Sequence, residues 1–237
     1  MIKKSYITAA FAYAILLACA ESASISVSLG QSADDGTTGG TAIDLTTEGD
    51  TDWGIWQNTN LALTNSMSGG SGFTSFTYLG AAVDQAATFG NPQNGYSWTN
   101  GTPNATGSGV TQAARADLNA DGAGVRLSID VDAAGLYQLR FYTTTFDTNL
   151  DATAFLATGG VSDTAIGSYA PNSLEKYEYT VDFATDGADT LHLDVVRSGG
   201  GLNILAFEAF TLSTIPEPSS LALLGLGMLG LFSRRRR

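Results

Sequence analysis

The chain has 237 residues, 11 Lys and Arg against 23 Asp and Glu, and a formal net charge of −12. A chain this acidic repels nucleic acid and anionic membrane surfaces, which excludes recognition of a phosphate backbone. One Cys excludes an internal disulfide framework, and one His rules out most multi-histidine metal centres.

Met1, Ile2, Lys3 and Lys4 precede a mostly apolar stretch over residues 6–18, the layout of a charged n-region followed by an h-region. Such a run is too short for a spanning helix and reads as a signal helix. Ala18 and Ala20 put small residues where a signal peptidase reads, so residues 1–20 are expected to be a signal peptide handled by the Sec translocon and signal peptidase. The alternative is a lipobox, Leu16-Leu17-Ala18-Cys19, which would keep Cys19 as an acylated first residue; Leu17 fits that pattern poorly.

The body, residues 21–215, keeps 5 basic and 22 acidic side chains, a net charge of −17. About 195 residues suit one domain with a sizeable core. Alternation dominates it. In Val125-Arg126-Leu127-Ser128-Ile129-Asp130-Val131-Asp132 every odd residue is apolar and every even one polar, as a half-buried strand requires. Residues 176–183 repeat the pattern, and further strands are expected at 24–29, 136–144, 152–157, 190–197 and 202–212. Ala133-Ala134-Gly135, Asp186-Gly187 and Gly199-Gly200-Gly201 read as turns between them. Gly69-Gly70-Ser71-Gly72 and residues 91–109 read as long loops at one end of the fold. The fold class expected is all-β, an antiparallel sandwich or jelly roll.

Three segments carry a resemblance. Asp52-Trp53, Tyr96-Ser97-Trp98-Thr99-Asn100-Gly101-Thr102-Pro103, and the strands 136–142 and 201–212 resemble a recurrent β-sandwich domain of bacterial extracellular proteins. That resemblance covers most of residues 48–214 and implies a galactose-binding-like jelly roll without an established activity. Asn100 stands where the family often has an aspartate.

Several residues invite a chemical reading. Asp117-Leu118-Asn119-Ala120-Asp121-Gly122 has the opening of a calcium loop, with alternating oxygen ligands and a Gly, so Asp117, Asn119 and Asp121 are candidate calcium ligands. The twelfth position is Ser128, which supplies no bidentate carboxylate and sits in the best strand; a polar hairpin loop is the plainer reading. No other cofactor is expected. Trp53, Trp56 and Trp98, with Tyr96 and Tyr78, are candidates for a platform on which sugar rings stack, or equally for the core of a sandwich. Glu208 shares the apolar-facing register of Ile204, Ala206, Phe210 and Leu212, so a partly buried, hydrogen-bonded structural carboxylate is expected there. His192 is expected to face solvent on a sheet. Asn100-Gly101-Thr102 and Asn104-Ala105-Thr106 are sequons that mark exposed loop.

The C-terminus is the most specific part. Pro216-Glu217-Pro218 is followed by Ser219-Ser220, an apolar run over residues 221–232, and Arg234, Arg235, Arg236 and Arg237. The prolines end the last strand and hold the motif extended. At about 1.5 Å per residue, a transmembrane helix over 219–233 is shorter than the roughly 30 Å hydrocarbon core, and the four arginines stay cytoplasmic. This order of parts resembles the PEP-CTERM tail. The resemblance implies that an exosortase cuts at or beside Pro216-Glu217-Pro218 and delivers the body to the envelope exterior or extracellular matrix, where exopolysaccharide is a candidate partner. The expectation is therefore an exported, non-enzymatic structural or interaction domain. A carbohydrate-binding module is the alternative, and a carboxylate-dependent glycan hydrolase a remote third.

Overall fold

The computed structural model describes residues 23–31, 42–57, 61–84, 94–111, 113–158, 160–167 and 174–216. The signal helix, the lipobox and the apolar tail from Glu217 onward lie outside the described residues. Among those described, no helix is long and apolar enough to cross a membrane.

In chain order the elements are β1 (Ser24–Gln31), β2 (Ile43–Asp44), a one-turn helix α1 (Leu45–Glu48), β3 (Asp52–Ile55), β4 (Asn65–Met67), β5 (Phe73–Leu79) and β6 (Ala82–Asp84). Next come β7 (Tyr96–Trp98), β8 (Gly101–Thr102), β9 (Gly107–Val110), β10 (Ala114–Leu118), β11 (Gly124–Val131), β12 (Gly135–Leu156), β13 (Ser162–Ile166), β14 (Leu174–Thr185) and β15 (Asp189–Thr214). The fold is all-β and antiparallel but for the short parallel pair β2–β7, in keeping with the alternating patterns that dominate the chain.

The frame is one long antiparallel ladder between β12 and β15, 22 and 26 residues long. Both strands run through both layers of the sandwich. The first half of β12 and the second half of β15 sit between β14 and β3 or β10, with β1 beyond β14. Their other halves sit between β13 and β11, with β5 beyond β11. Phe76 of β5 lies 4.6 Å from Phe207 and 6.0 Å from Phe141, ring centre to ring centre, so the two halves face each other across a shared apolar core. Strands that bend from one layer into the other are a known way to build such corners.

The turn expected at Gly199-Gly200-Gly201, and the break expected between residues 144 and 152, are in fact this bend. The ladder continues through both, with register shifts at Phe146/Thr148 and Asn149/Leu150. Asp147 takes a positive φ of 50°, which Asp tolerates better than most residues. Opposite it, Gly200 has φ +114°, and a Cβ there would stand 2.5 Å from the Asp147 carbonyl oxygen. Arg197 braces the corner by donating to the carbonyls of Leu118 at 3.1 Å and Gly200 at 3.1 Å.

The segment 91–109, expected as loop, contributes β7, β8 and β9. β8 pairs with β4 in the large sheet, while β7 and β9 join β2 in a three-stranded sheet over the outer face of the first layer. Ile43, Leu45, Trp53, Ile55, Tyr96, Trp98, Tyr142 and Ala209 make a second apolar cluster beneath it. The glycines at 69–72 have a close-approach reason. Asp52 is buried, accepts from the N–H groups of Trp53 at 2.8 Å and Phe73 at 2.9 Å, and leaves no room for a Cβ at Gly70.

The edge strand β1 is guarded. Asp163 of β13 accepts a hydrogen bond from the Val27 N–H at 2.9 Å, so an edge donor that would otherwise invite strand addition is already used.

Candidate functional site

Among the described residues, Glu208 sits at the centre of a buried hydrogen-bond network. The bulge in the β12–β15 ladder between Tyr142 and Thr143 leaves Glu208 opposite no residue of β12. Below the bulge Leu205 and Phe207 face the main core; above it Phe210 and Leu212 do. Glu208 therefore keeps the face of Ile204 and Ala206, but the expected shared register with Phe210 and Leu212 fails, because the extra residue flips the alternation above it. Glu208 points instead toward the small sheet and is wholly buried there. One carboxylate oxygen, Oε2, accepts from the Asn94 N–H at 3.2 Å, Asn94 Nδ2 at 2.8 Å and the Tyr96 hydroxyl at 2.7 Å. The other, Oε1, accepts from the Thr144 hydroxyl.

Burial raises the Glu208 carboxyl above its ordinary range, and the hydrogen bonds from Thr144, Tyr96 and Asn94 pull against that rise. Burial, with the Glu208 charge second, also raises the Tyr96 phenol. The carboxylate is thus a clasp that fixes residues 94–96, and with them the small sheet, to β15. Wholly buried, with both oxygens accepting from protein donors, it presents no face to a ligand, as a general acid or nucleophile must.

Of the aromatic residues proposed as a sugar platform, Trp53, Trp56, Trp98 and Tyr96 are core residues, while Tyr78 of β5 is half-buried with its hydroxyl donating to Asp84 at 3.2 Å. Trp56 is fully buried among Phe73, Phe76, Phe141, Phe207 and Phe210, with centroid distances of 4.6–6.2 Å, and its indole donates to the Leu61 carbonyl at 3.0 Å. Trp53 packs against Trp98 of the small sheet at 5.7 Å with the rings tilted by 41°, and Tyr96 beside them is fully buried. Their faces are covered by protein, so no sugar ring reaches them in this arrangement. The physical reason is the small sheet itself, which converts an outer sheet face into a second core.

Asn100, standing where the resembling family often has a carboxylate, shows what the position requires. Its Oδ1 accepts from the Trp53 indole at 2.9 Å and from the Thr46 hydroxyl at 3.2 Å. An amide oxygen serves as well as a carboxylate for that.

The three candidate calcium ligands are each engaged separately. Asp117 lies in β10 and pairs with Arg115 at 2.9 Å; Asn119 donates to the Ala81 carbonyl at 3.2 Å; Asp121, with an exposed side chain, meets Arg197 at 3.4 Å. Among the described residues no group of three His, Cys, Asp or Glu side chains is placed to hold a metal ion. The loop is not a simple hairpin either, since β10 and β11 both pair with β15 rather than with each other.

His192 is half-buried rather than free in solvent. Its Nδ1 lies 2.9 Å from the Ser128 hydroxyl and its ring packs 5.0 Å from Phe155. Asp194 is taken by Arg126 in a two-pronged ion pair at 2.6 and 2.7 Å, so Ser128, His192 and Asp194 do not form a relay. Burial, with the Arg126 charge second, lowers the His192 pKa.

At the far end of β15 the described residues stay tied to the sandwich through Ile215. Leu212 accepts from the Thr51 N–H at 3.0 Å, Thr214 is the last strand residue, and the Ile215 N–H donates to the Leu136 carbonyl at 2.8 Å. Pro216, which has no N–H to donate, is exposed. Residues 214–237 match the PEP-CTERM protein-sorting motif. The chain therefore carries that motif at its C-terminus, and the motif marks it as exported and surface-sorted.

No curated protein matches the chain. Among solved structures, the chain is similar to TmCBM61 in complex with beta-1,4-galactotriose at 16% identity and TM-score 0.33, over 45% of this chain and 72% of that one. It is similar to CBM35 from Cellvibrio japonicus Abf62 at 15% identity and TM-score 0.30, over 80% and 97%. A third similarity is to the enzymatically active domain of bacteriophage CBA120 tailspike protein 4, at 15% identity and TM-score 0.35, over 71% of this chain and 20% of that one. Superpositions this partial carry no residue of those proteins' sites over to this chain.

Proposed function

We propose that residues 21–215 are the cargo of an exosortase-type sorting pathway, a non-enzymatic structural or interaction domain displayed outside the cell. The observation that carries this reading is the junction at the end of β15. The β12–β15 ladder ends at Thr214, the Ile215 N–H still bonds the Leu136 carbonyl, Pro216 is exposed, and the matched sorting motif begins at Thr214. The last strand of the cargo and the start of the matched motif thus meet within two or three residues.

The chemistry of the body supports a non-catalytic role. Its buried carboxylates, Glu208 and Asp52, are hydrogen-bonded to protein donors, its tryptophans are core, and its one His is tied to Ser128 and Phe155. Its −17 charge suits solubility in an extracellular matrix.

The test is to express the full chain in a cell carrying an exosortase and to determine the C-terminus of the mature protein by mass spectrometry. Loss of everything beyond the Pro216 region, abolished by Glu217→Ala, is the expected result. A mature chain that still ends at Arg237 in the exosortase-positive cell would sink the proposal.

A further inference from the structure

The matched motif does not begin where the fold ends; it begins inside it. Thr214 is still in β15, opposite Tyr137. Asp50, in the turn between α1 and β3, holds it with both oxygens: Oδ1 accepts from the Thr214 N–H at 3.0 Å and Oδ2 from the Thr214 hydroxyl at 3.3 Å. Asp50 is itself steadied by the neighbouring Thr51 hydroxyl at 3.0 Å, and the Thr51 N–H is bonded to the Leu212 carbonyl. One residue further on, the Ile215 N–H is bonded to Leu136.

An enzyme that cuts beside Pro216-Glu217-Pro218 must take the chain as an extended strand in its own cleft. Extended residues advance about 3.3–3.6 Å each, so a grip on about four residues ahead of the cut reaches roughly 13 Å, back to residue 213 or so. Those residues are the ones that Asp50 and Leu136 hold. A backbone N–H already bonded to the cargo cannot be bonded to the enzyme. Processing of the folded protein therefore runs through a local opening of residues 213–216, and its rate follows the population of that opened state.

We infer that Asp50 is a positioning residue for tail removal: its grip on Thr214 sets how much chain ahead of the sorting motif is available to the processing enzyme. The proposal rests on the sorting reading above and adds a determinant that lies outside the motif, more than 160 residues away in sequence. It also predicts an order of events. Cargo that is still unfolded is cut without this brake, and cargo that has folded is cut slowly.

The experiment follows tail loss from the full chain by pulse-chase in the exosortase-positive cell, for wild type, Asp50→Ala, Asp50→Asn and Glu217→Ala. In parallel, the purified proteins are digested briefly with proteinase K and cuts between residues 212 and 218 are mapped by mass. Asp50→Ala is expected to speed both tail loss and proteinase K cutting about tenfold, the ratio for loss of one charge-assisted hydrogen bond. Asp50→Asn, which keeps an acceptor for the Thr214 N–H, is expected between the two, and it serves as the decisive variant should Asp50→Ala fail to fold. Tail loss at the wild-type rate or slower in a folded Asp50 variant overturns the proposal, whatever proteinase K reports. If Glu217→Ala is processed like wild type, the sorting reading itself has failed; if Glu217→Ala is blocked while the Asp50 variants match wild type, only the clasp has.

Discussion

Replacing Glu208 tests whether the buried clasp holds the small sheet to the sandwich. Glu208→Ala removes the acceptor shared by the Asn94 N–H, Asn94 Nδ2, the Tyr96 hydroxyl and the Thr144 hydroxyl, all in a wholly buried place. The two hydroxyls can turn toward other oxygens, but the two Asn94 donors have little freedom. At about 1–3 kcal/mol for each stranded donor, less what is regained by no longer burying a carboxyl, the loss is about 3 kcal/mol. For a domain of this size that lowers Tm by roughly 6–12 °C. Glu208→Gln keeps an oxygen for Asn94 and Tyr96 and offers an amide to the Thr144 hydroxyl oxygen, so it costs within about 1 kcal/mol. Urea unfolding followed by tryptophan fluorescence separates the two, since Trp98 belongs to the small sheet and Trp53 packs against it. An alanine variant within about 1 kcal/mol of wild type, or a glutamine variant as weak as the alanine one, would refute the clasp.

The pH dependence has a definite sign. Burial raises the Glu208 carboxyl, so the folded state holds this proton more tightly than the unfolded chain does. The stability it contributes is fully present in acid, below the unfolded carboxyl range, and declines as pH rises through the folded value. Glu208→Gln cannot titrate, so its stability relative to wild type is expected to rise over that window.

Two further expectations concern the bend and the edge. Gly200→Ala, which meets Asp147 at 2.5 Å with φ +114°, is expected to cost about 2–4 kcal/mol in chemical denaturation, while Gly187→Ala, which meets nothing within 4 Å, stays within about 1 kcal/mol of wild type. Asp163→Ala frees the Val27 N–H on the edge of β1, and concentration-dependent association by light scattering is the expected consequence. The hydrogen bond from Val27 lowers the Asp163 carboxyl below its ordinary range, so wild type should acquire the same tendency only as pH falls through that depressed value. A variant that remains monomeric across the concentration series would show that the edge is protected by other means.

Much of this protein is legible without coordinates because its signals are local. Strict alternation at 125–132 and 176–183 marks strands wherever they pair, and they became β11 and β14. The C-terminal motif is a contiguous run read in the extended state, and residues 214–237 match the sorting motif that run resembles. An all-β class follows from the same local periodicity.

What the tertiary structure decided are the matters that depend on which surface covers which. Gly199-Gly200-Gly201 has the composition of a turn, and only the pairing of Gly199 and Gly200 with Asn149 and Thr148 makes it a bend in a continuous strand. Trp53 and Trp98 have the same indole whether they face solvent or a covering sheet; the short strands at 96–98 and 107–110, too brief to show a period, bury them. Glu208 sits in an alternating run, but a single bulged residue reverses the faces on either side of it, and a bulge is set by the partner strand. The hold of Asp50 on Thr214 joins residues 164 positions apart, a distance over which sequence pattern carries no information and only chain packing does.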